Sequence, residues 1–101
     1  MTRNVTVEAP VIMDYPKESE IITSPHYTLR FGASDETQTV EVSFDGGPWQ
    51  ACRKAGHYFW FDWAHYMSGY HEIAARAQFF TGDIKEIEVR RMYVKLEQNA
   101  Q

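Results

Sequence analysis

The residue types most suited to metal binding in this chain are its four histidines and a nearby aspartate. The histidines are His26, His57, His65 and His71. With Asp62 they offer imidazole and carboxylate groups, which are common zinc ligands. Their spacing fits no compact ligand motif, so the sequence predicts no metal site.

Two further side-chain sets could serve nucleophilic catalysis. Ser68, His71 and Asp62 are the residue types of a catalytic triad. Ser68 lacks the nucleophile elbow and oxyanion loop that such chemistry needs, so we predict no catalytic residue and no cofactor. Cys52 is the only cysteine, has no activating histidine motif beside it, and is expected to behave as a small apolar residue that forms no intrachain disulfide.

The strongest signal in the sequence is the aromatic run from Tyr58 to Trp63, in which both faces of a strand carry rings. Burying an unpaired carboxylate is costly, so Asp62 decides which face is exposed. Phe59, Phe61 and Trp63 are therefore predicted to face the core. The predicted outward set, which is also the predicted partner-binding site, is Tyr58, Trp60 and Asp62. In the alternative interpretation, a neighbouring loop or the N-terminal segment covers Trp60.

Exposed clustered aromatics are typical of interaction sites, so these residues predict contact with a protein partner or self-association. A carbohydrate, stacked on the same rings, is the alternative ligand. The net charge of −4 and the scattered Lys and Arg argue against nucleic acid. The sequence contains no run of about eighteen apolar residues, so no membrane span is expected. We expect a cytoplasmic protein if the chain is complete, and an extracellular or periplasmic one if it is a fragment of a larger protein.

The elements that must position these residues have the two-residue period of β-strands. Apolar residues alternate with polar ones in three stretches. The predicted inward residues are Tyr27, Leu29 and Phe31 in the first, Val40, Val42 and Phe44 in the second, and His71, Ile73, Ala75, Ala77 and Phe79 in the third. An earlier strand is predicted from about Val5 to Met13, interrupted by Pro10.

Turn signals connect these strands. Asp45-Gly46-Gly47-Pro48 predicts a hairpin whose return strand is Trp49–Arg53, and Thr81-Gly82-Asp83 predicts the turn into the last strand. In that last strand the apolar residues Ile87 and Val89 occupy odd positions, whereas Met92, Val94 and Leu96 occupy even ones. In a regular strand these two sets would face opposite sides. This change predicts a β-bulge at Arg90-Arg91 or a change of face there.

About seven short strands at regular spacing indicate one all-β domain over residues 1–101, with its core between about 11 and 96. The segments 40–49 and 67–77 resemble the bacterial immunoglobulin-like and fibronectin type III-like two-sheet antiparallel sandwiches. The resemblance implies that His71 stands at a corner where many relatives place Tyr, and it brings no active site. Segment 43–49 also resembles an Asp-box hairpin, which implies that Asp45 caps its own turn above Trp49.

These observations together predict a non-enzymatic protein-interaction or spacer module. The alternative is a carbohydrate-binding accessory module that uses the exposed aromatics.

Overall fold

The strands follow from the alternation of apolar and polar residues. The computed structural model describes residues 11–96, except the side chain of residue 88, and in this range the chain forms strands and turns without a helix. The strands are β1 (Val11–Tyr15), β2 (Ile21–Ile22), β3 (His26–Ala33), β4 (Thr37–Phe44), β5 (Gln50–Ala51), β6 (Arg53–Ala55), β7 (Tyr58–Ala64), β8 (Gly69–Phe79) and β9 (Ile84–Val94).

These strands form two sheets packed face to face. Sheet A has the order β1-β3-β7-β6 and sheet B the order β2-β9-β8-β4-β5. All neighbouring strands are antiparallel except β2 and β9, which are parallel. The predicted two-sheet sandwich is therefore confirmed, and the two-residue strands β2 and β5 raise the strand number above the predicted seven.

The core lies between the sheets and contains the residues that the alternation places inward. Leu29 and Phe31 of β3 are fully buried, and Tyr27 packs against the same core from its rim. In β8 the inward prediction is confirmed for all four apolar residues. The remaining buried apolar residues are Val11, Met13, Pro16, Ile22, Val40, Val42, Phe59, Trp63, Tyr66, Met92 and Val94.

The first strand differs in its bounds from the prediction. β1 continues to Tyr15, two residues beyond Met13, where the prediction ended. The predicted residues before Val11 lie outside the described part of the chain. A shift in the pairing between Met13 and Tyr15 puts Tyr15 opposite Arg30 of β3, which places that ring on the outer face of sheet A.

The return strand of the predicted hairpin is divided between the two sheets. Gln50 and Ala51 pair with β4 in sheet B, as the hairpin requires. After Cys52 the chain enters sheet A, where Arg53–Ala55 pairs with β7. The prediction of one strand over Trp49–Arg53 was wrong in this respect, because the chain crosses from one sheet edge to the other within it.

The predicted bulge in the last strand is present, but it lies earlier than Arg90-Arg91. Ile73 pairs with Arg90, and Ala75 pairs with Ile87, so β9 has one residue more than β8 between these pairs. Ile87 therefore packs against the core, as Met92 does, although one has an odd and the other an even position in the chain. The extra residue also turns Arg90 toward the gap between the sheets. Its Nη1 there donates to the carbonyls of Met13 at 3.0 Å and Pro16 at 2.9 Å.

Candidate functional site

The aromatic run occupies β7, an inner strand of sheet A. Phe59 and Trp63 are buried, and Phe61 packs against the core at its edge. Tyr58 and Trp60 are half-buried and Asp62 is exposed, which is the distribution expected when Asp62 faces water. The structure thus places the three predicted site residues on one outer face, with Tyr58 and Trp60 less exposed than a bare surface pair would be.

Three residues from neighbouring strands extend this face. Arg30 of β3 pairs with Trp60, and Tyr15 of β1 pairs with Arg30, so the three side chains form one row across the sheet. The guanidinium carbon of Arg30 lies 4.5 Å from the ring centre of Tyr58 and 5.0 Å from that of Tyr15. Ile12 is exposed on the same side of β1. We call Ile12, Tyr15, Arg30, Tyr58, Trp60 and Asp62 the platform.

Arg30 is fixed in place by its surroundings. Its Nε donates to Oδ2 of Asp14 at 3.1 Å, and the rings of Tyr15 and Tyr58 lie on its guanidinium. A guanidinium between aromatic faces gains cation–π attraction while it keeps donors for a further acceptor. Arg30 therefore presents a fixed positive group at the centre of an aromatic surface.

The ring of Trp60 is also held in one orientation. Its indole N–H donates to the carbonyl of Ala55 at 3.2 Å. Its ring lies 5.7 Å from that of Tyr58, with 66° between the planes. The two rings consequently meet edge to face and do not form one flat surface.

Asp62 is paired with its neighbours on the sheet and with none of the triad residues. Its Oδ1 accepts from the Thr28 hydroxyl at 3.1 Å, and both its oxygens lie 3.4 Å from Nη2 of Arg53. The side chains of Asp62 and Arg53 are both well exposed, and an ion pair at such a surface position contributes little to stability. Asp62 therefore lies at the end of the platform as an exposed carboxylate.

His71 has a structural position at the end of the sandwich. Its Nδ1 lies 2.7 Å from Oδ2 of Asp45 and its Nε2 lies 2.6 Å from the carbonyl oxygen of Met67. Its ring packs edge-on against Trp63. These contacts support the implied corner role of His71, because its hydrogen bonds connect the loop before β8 to the β4–β5 turn. Tyr66 makes a further connection at the same end of the sandwich, where its hydroxyl donates to the carbonyl of Ser24.

Asp45 does not cap its own turn as the Asp-box resemblance implies. Its Oδ1 accepts from the backbone N–H of Glu72 at 2.8 Å, while the turn is closed by a bond from the Gly47 N–H to the Phe44 carbonyl at 2.9 Å. Trp49 also departs from that resemblance, since its ring lies 4.3 Å from the guanidinium of Arg76. The carboxylate joins two strands instead of shaping one loop.

Both partners of His71 accept hydrogen bonds, since a carbonyl oxygen and an ionised carboxylate have no proton to donate. The protonated ring donates from both nitrogens and therefore satisfies both partners at once. Burial lowers the pKa of His71, but the bonds to Met67 and Asp45 raise it by more, and the net pKa lies above the ordinary value of 6.5.

We expect the free energy of unfolding to depend on pH through this group. The folded state holds the proton more tightly than the unfolded chain, so the stabilisation is complete below pH 6.5 and is lost as the pH rises through the raised folded-state pKa. Urea unfolding from pH 5.5 to 9 is expected to show wild-type stability falling above pH 6.5 relative to His71→Phe. A difference between the two proteins that does not change with pH would contradict this assignment.

The remaining candidate groups lie apart from one another or have other partners. The Ser68 hydroxyl accepts from the backbone N–H of Leu96 at 3.0 Å, and both nitrogens of His71 are bonded elsewhere. Burial and the charge of Glu41 raise the pKa of Cys52 to about 12, so its thiol stays protonated and packs beside the core. Among the side chains that the structure describes, no three His, Cys, Asp or Glu residues are grouped to hold a metal ion.

Comparisons with known proteins define the fold. The amino-acid sequence matches no protein-family model and no curated protein. The structure is similar to the fibronectin(III)-like modules of Clostridium thermocellum CbhA, with a TM-score of 0.67 and 20% identity over 87% of this chain and 99% of that one. It is similar to an engineered protein, with a TM-score of 0.68 and 19% identity over 87% of this chain and 21% of that one.

A third similar structure is CopC from Methylosinus trichosporium OB3b, with a TM-score of 0.60 and 13% identity over 90% of this chain and 99% of that one. At these identities the likeness concerns the fold alone. Among the described residues, no helix has the length and apolarity needed to cross a membrane.

Proposed function

We propose that this fibronectin type III-like, immunoglobulin-like sandwich is a non-enzymatic protein-interaction module whose contact surface is the platform. The observation that carries the proposal is the row of Tyr15, Arg30 and Trp60 across the outer face of sheet A, with Tyr58 beside it. The outer face of an antiparallel sandwich is commonly a solvated, polar one. An aromatic outer face therefore favours a surface that a partner covers.

The composition of the platform suits a protein partner. Tyr, Trp and Arg are enriched among the residues that dominate protein–protein binding energy. Tyr15 is 41% exposed, and the exposed Ile12 adds apolar area at the adjacent edge. Lys17 lies 5.3 Å from the centre of the Tyr15 ring and supplies a charge at the rim. Aromatic rings around an arginine, with further charged groups at the rim, are typical of a protein contact surface.

The platform is also fixed before any partner arrives. Arg30 is held by two rings and Asp14, and Trp60 is held by its bond to Ala55. Side chains that are already ordered lose less conformational entropy on binding. This preorganisation lowers the entropic cost of binding a partner at the platform.

The platform suits a flat sugar chain less well. Tyr58 and Trp60 meet at 66°, so one sugar ring could stack on only one of them at a time. The guanidinium of Arg30 also lies on the ring of Tyr58. These contacts favour the protein-interaction hypothesis over carbohydrate binding for this surface.

The Trp60→Ala protein tests the proposal. Removal of a central interface tryptophan is expected to cost about 2 kcal/mol or more, which is roughly a thirtyfold loss of affinity. Immobilised wild-type protein and Trp60→Ala are incubated with lysate, and the retained proteins are quantified by mass spectrometry. Sedimentation velocity of the same proteins measures self-association.

A matched control is Phe80→Ala, which removes an aromatic ring that is 67% exposed at the β8–β9 turn, away from the platform. The proposal predicts that Phe80→Ala behaves as wild type and that Trp60→Ala, while folded, loses the partner or the self-association. If a folded Trp60→Ala retains the same proteins as wild type and associates equally, the platform is not the contact surface.

A further inference from the structure

A second surface feature lies on sheet B and has no part in the platform. It is an open cleft of about 620 Å³ between the β1–β2 loop and the start of β8, with β9 as its floor. Its lining residues are Glu18, Ser19, Ile21, Tyr70, Arg91, Met92 and Tyr93. Its polar residues Glu18, Ser19 and Arg91 contact one another at one end of the cleft.

Two tyrosine rings form the apolar part of the cleft. Ile21, Tyr93 and Tyr70 are paired across three neighbouring strands and form one row. The ring centres of Tyr70 and Tyr93 are 4.8 Å apart with 64° between the planes, so the two rings meet edge to face. The side chain of Tyr70 is 84% exposed. The pairing of β4 with β8 ends at Ile73, so β4 does not lie beside Tyr70.

The polar end of the cleft offers both donors and acceptors. Nη2 of Arg91 lies 3.5 Å from Oε2 of Glu18, and Nη1 lies 3.6 Å from Oε2 of Glu72. These separations exceed a normal N–H···O hydrogen bond, so the guanidinium keeps donors for another acceptor. The loop that brings Glu18 here is fixed, because the Ser19 N–H donates to the Arg91 carbonyl at 2.7 Å.

The charges at this end bear on the class of ligand. The carboxylates of Glu18 and Glu72 both lie beside the single guanidinium of Arg91, so the negative groups outnumber the positive one and the site disfavours an anionic ligand. An open aromatic face beside hydrogen-bonding groups of both kinds matches a neutral ring that has apolar C–H faces and hydroxyl edges.

We propose that this cleft binds a neutral saccharide. A pyranose ring stacks its C–H face on Tyr70, with its hydroxyl groups bonded to Arg91 as donor and Glu18 as acceptor. The site is distinct from the platform, since Tyr70 belongs to sheet B and Trp60 to sheet A. The proposal therefore stands or fails independently of the protein-interaction surface.

Affinity electrophoresis in native gels tests the proposal. The probes are hydroxyethylcellulose, barley β-glucan, xylan, galactomannan and glycol chitin, each cast into a gel. At least one is expected to retard wild-type protein, and Tyr70→Ala is expected to bind it roughly tenfold more weakly because the stacking surface is lost. Tyr70→Phe keeps the ring and is expected to be retarded as wild type is. Because Tyr70 is almost fully exposed, its replacement should leave the fold intact, which circular dichroism verifies.

The same gels include Trp60→Ala as the matched control. Retardation that is retained in Trp60→Ala and weakened in Tyr70→Ala supports the cleft as the saccharide site. Retardation that is lost in Trp60→Ala but retained in Tyr70→Ala places the sugar on the platform and overturns the proposal. Absence of retardation with all five polysaccharides also overturns it, and it leaves the proposed protein-interaction function unaffected.

Discussion

Replacing Trp63 with alanine is expected to cost about 3–5 kcal/mol of the free energy of unfolding. The indole is 6% exposed, stacks on Phe44 at 4.8 Å with 10° between the planes, and lies 4.2 Å from the ring of Tyr66. A domain of this size has roughly 5–15 kcal/mol in total, so Trp63→Ala should be largely or partly unfolded at 37 °C. Urea unfolding followed by circular dichroism measures the loss.

The matched variant is Trp63→Phe, which keeps an aromatic ring against Phe44. It should lose clearly less stability than Trp63→Ala, because the cavity that remains is smaller. A loss of less than about 1 kcal/mol for Trp63→Ala would mean that this ring is not part of the core.

Replacing Arg90 with methionine is expected to cost about 2 kcal/mol, the usual contribution of hydrogen bonds from a charged donor. Methionine keeps much of the apolar stem but removes the bonds from Nη1 to the carbonyls of Met13 and Pro16, which join β9 to the end of β1. The partly buried carbonyls then lose these donors. The unfolding free energy from urea titrations of wild type and Arg90→Met gives the difference.

Arg91→Met is the control for this change. Arg91 is the next residue along β9, and its side chain is 62% exposed in loose surface ion pairs. Removing such pairs is expected to change stability by less than about 1 kcal/mol. Equal losses for the two variants would contradict the assignment of Arg90 as the arginine that joins the sheets.

Much of the fold could be predicted because one face of each long strand is buried. The alternation in β3 and β8 selects Leu29, Phe31 and Ile73 as core residues, and each is fully buried. In β7, where both faces are aromatic, the cost of burying Asp62 was sufficient to select the outward face. The solved structures of similar fold agree with the resulting two-sheet sandwich.

The details that the sequence did not predict depend on contacts between distant segments. The crossing at Cys52 leaves no local pattern, since both short strands lie at sheet edges and have exposed residues. The bulge was predicted too late in β9 because Ile87 and Val89 were grouped on one face, whereas Ile87 packs against the core and Val89 is exposed. The acceptors that Arg90 bonds lie on a segment more than seventy residues earlier in the chain.

The candidate site was predicted only in part for the same reason. Tyr58, Trp60 and Asp62 follow from one strand, whereas Tyr15 and Arg30 join them only through strand order and register. Asp45 likewise suggests a local turn motif in the sequence, and its partners lie on β8.

The tyrosines of the cleft were missed, although a signal for them was present. Tyr70 precedes the inward-facing His71, and Tyr93 lies between the buried residues Met92 and Val94. The alternation therefore places both rings outward. That the two rings lie directly opposite each other on β8 and β9 could be known only from the register of these strands.

The most direct test of the platform as a surface is the stability of the Trp60→Ala protein. Trp60 and Trp63 are on the same strand, but only Trp60 faces outward, with a bond to Ala55 and an edge contact with Tyr58. The proposal predicts that Trp60→Ala loses about 1 kcal/mol in urea unfolding and keeps the circular dichroism spectrum of wild type. A loss as large as that of Trp63→Ala would show that Trp60 supports the fold, and it would contradict its role as a contact residue.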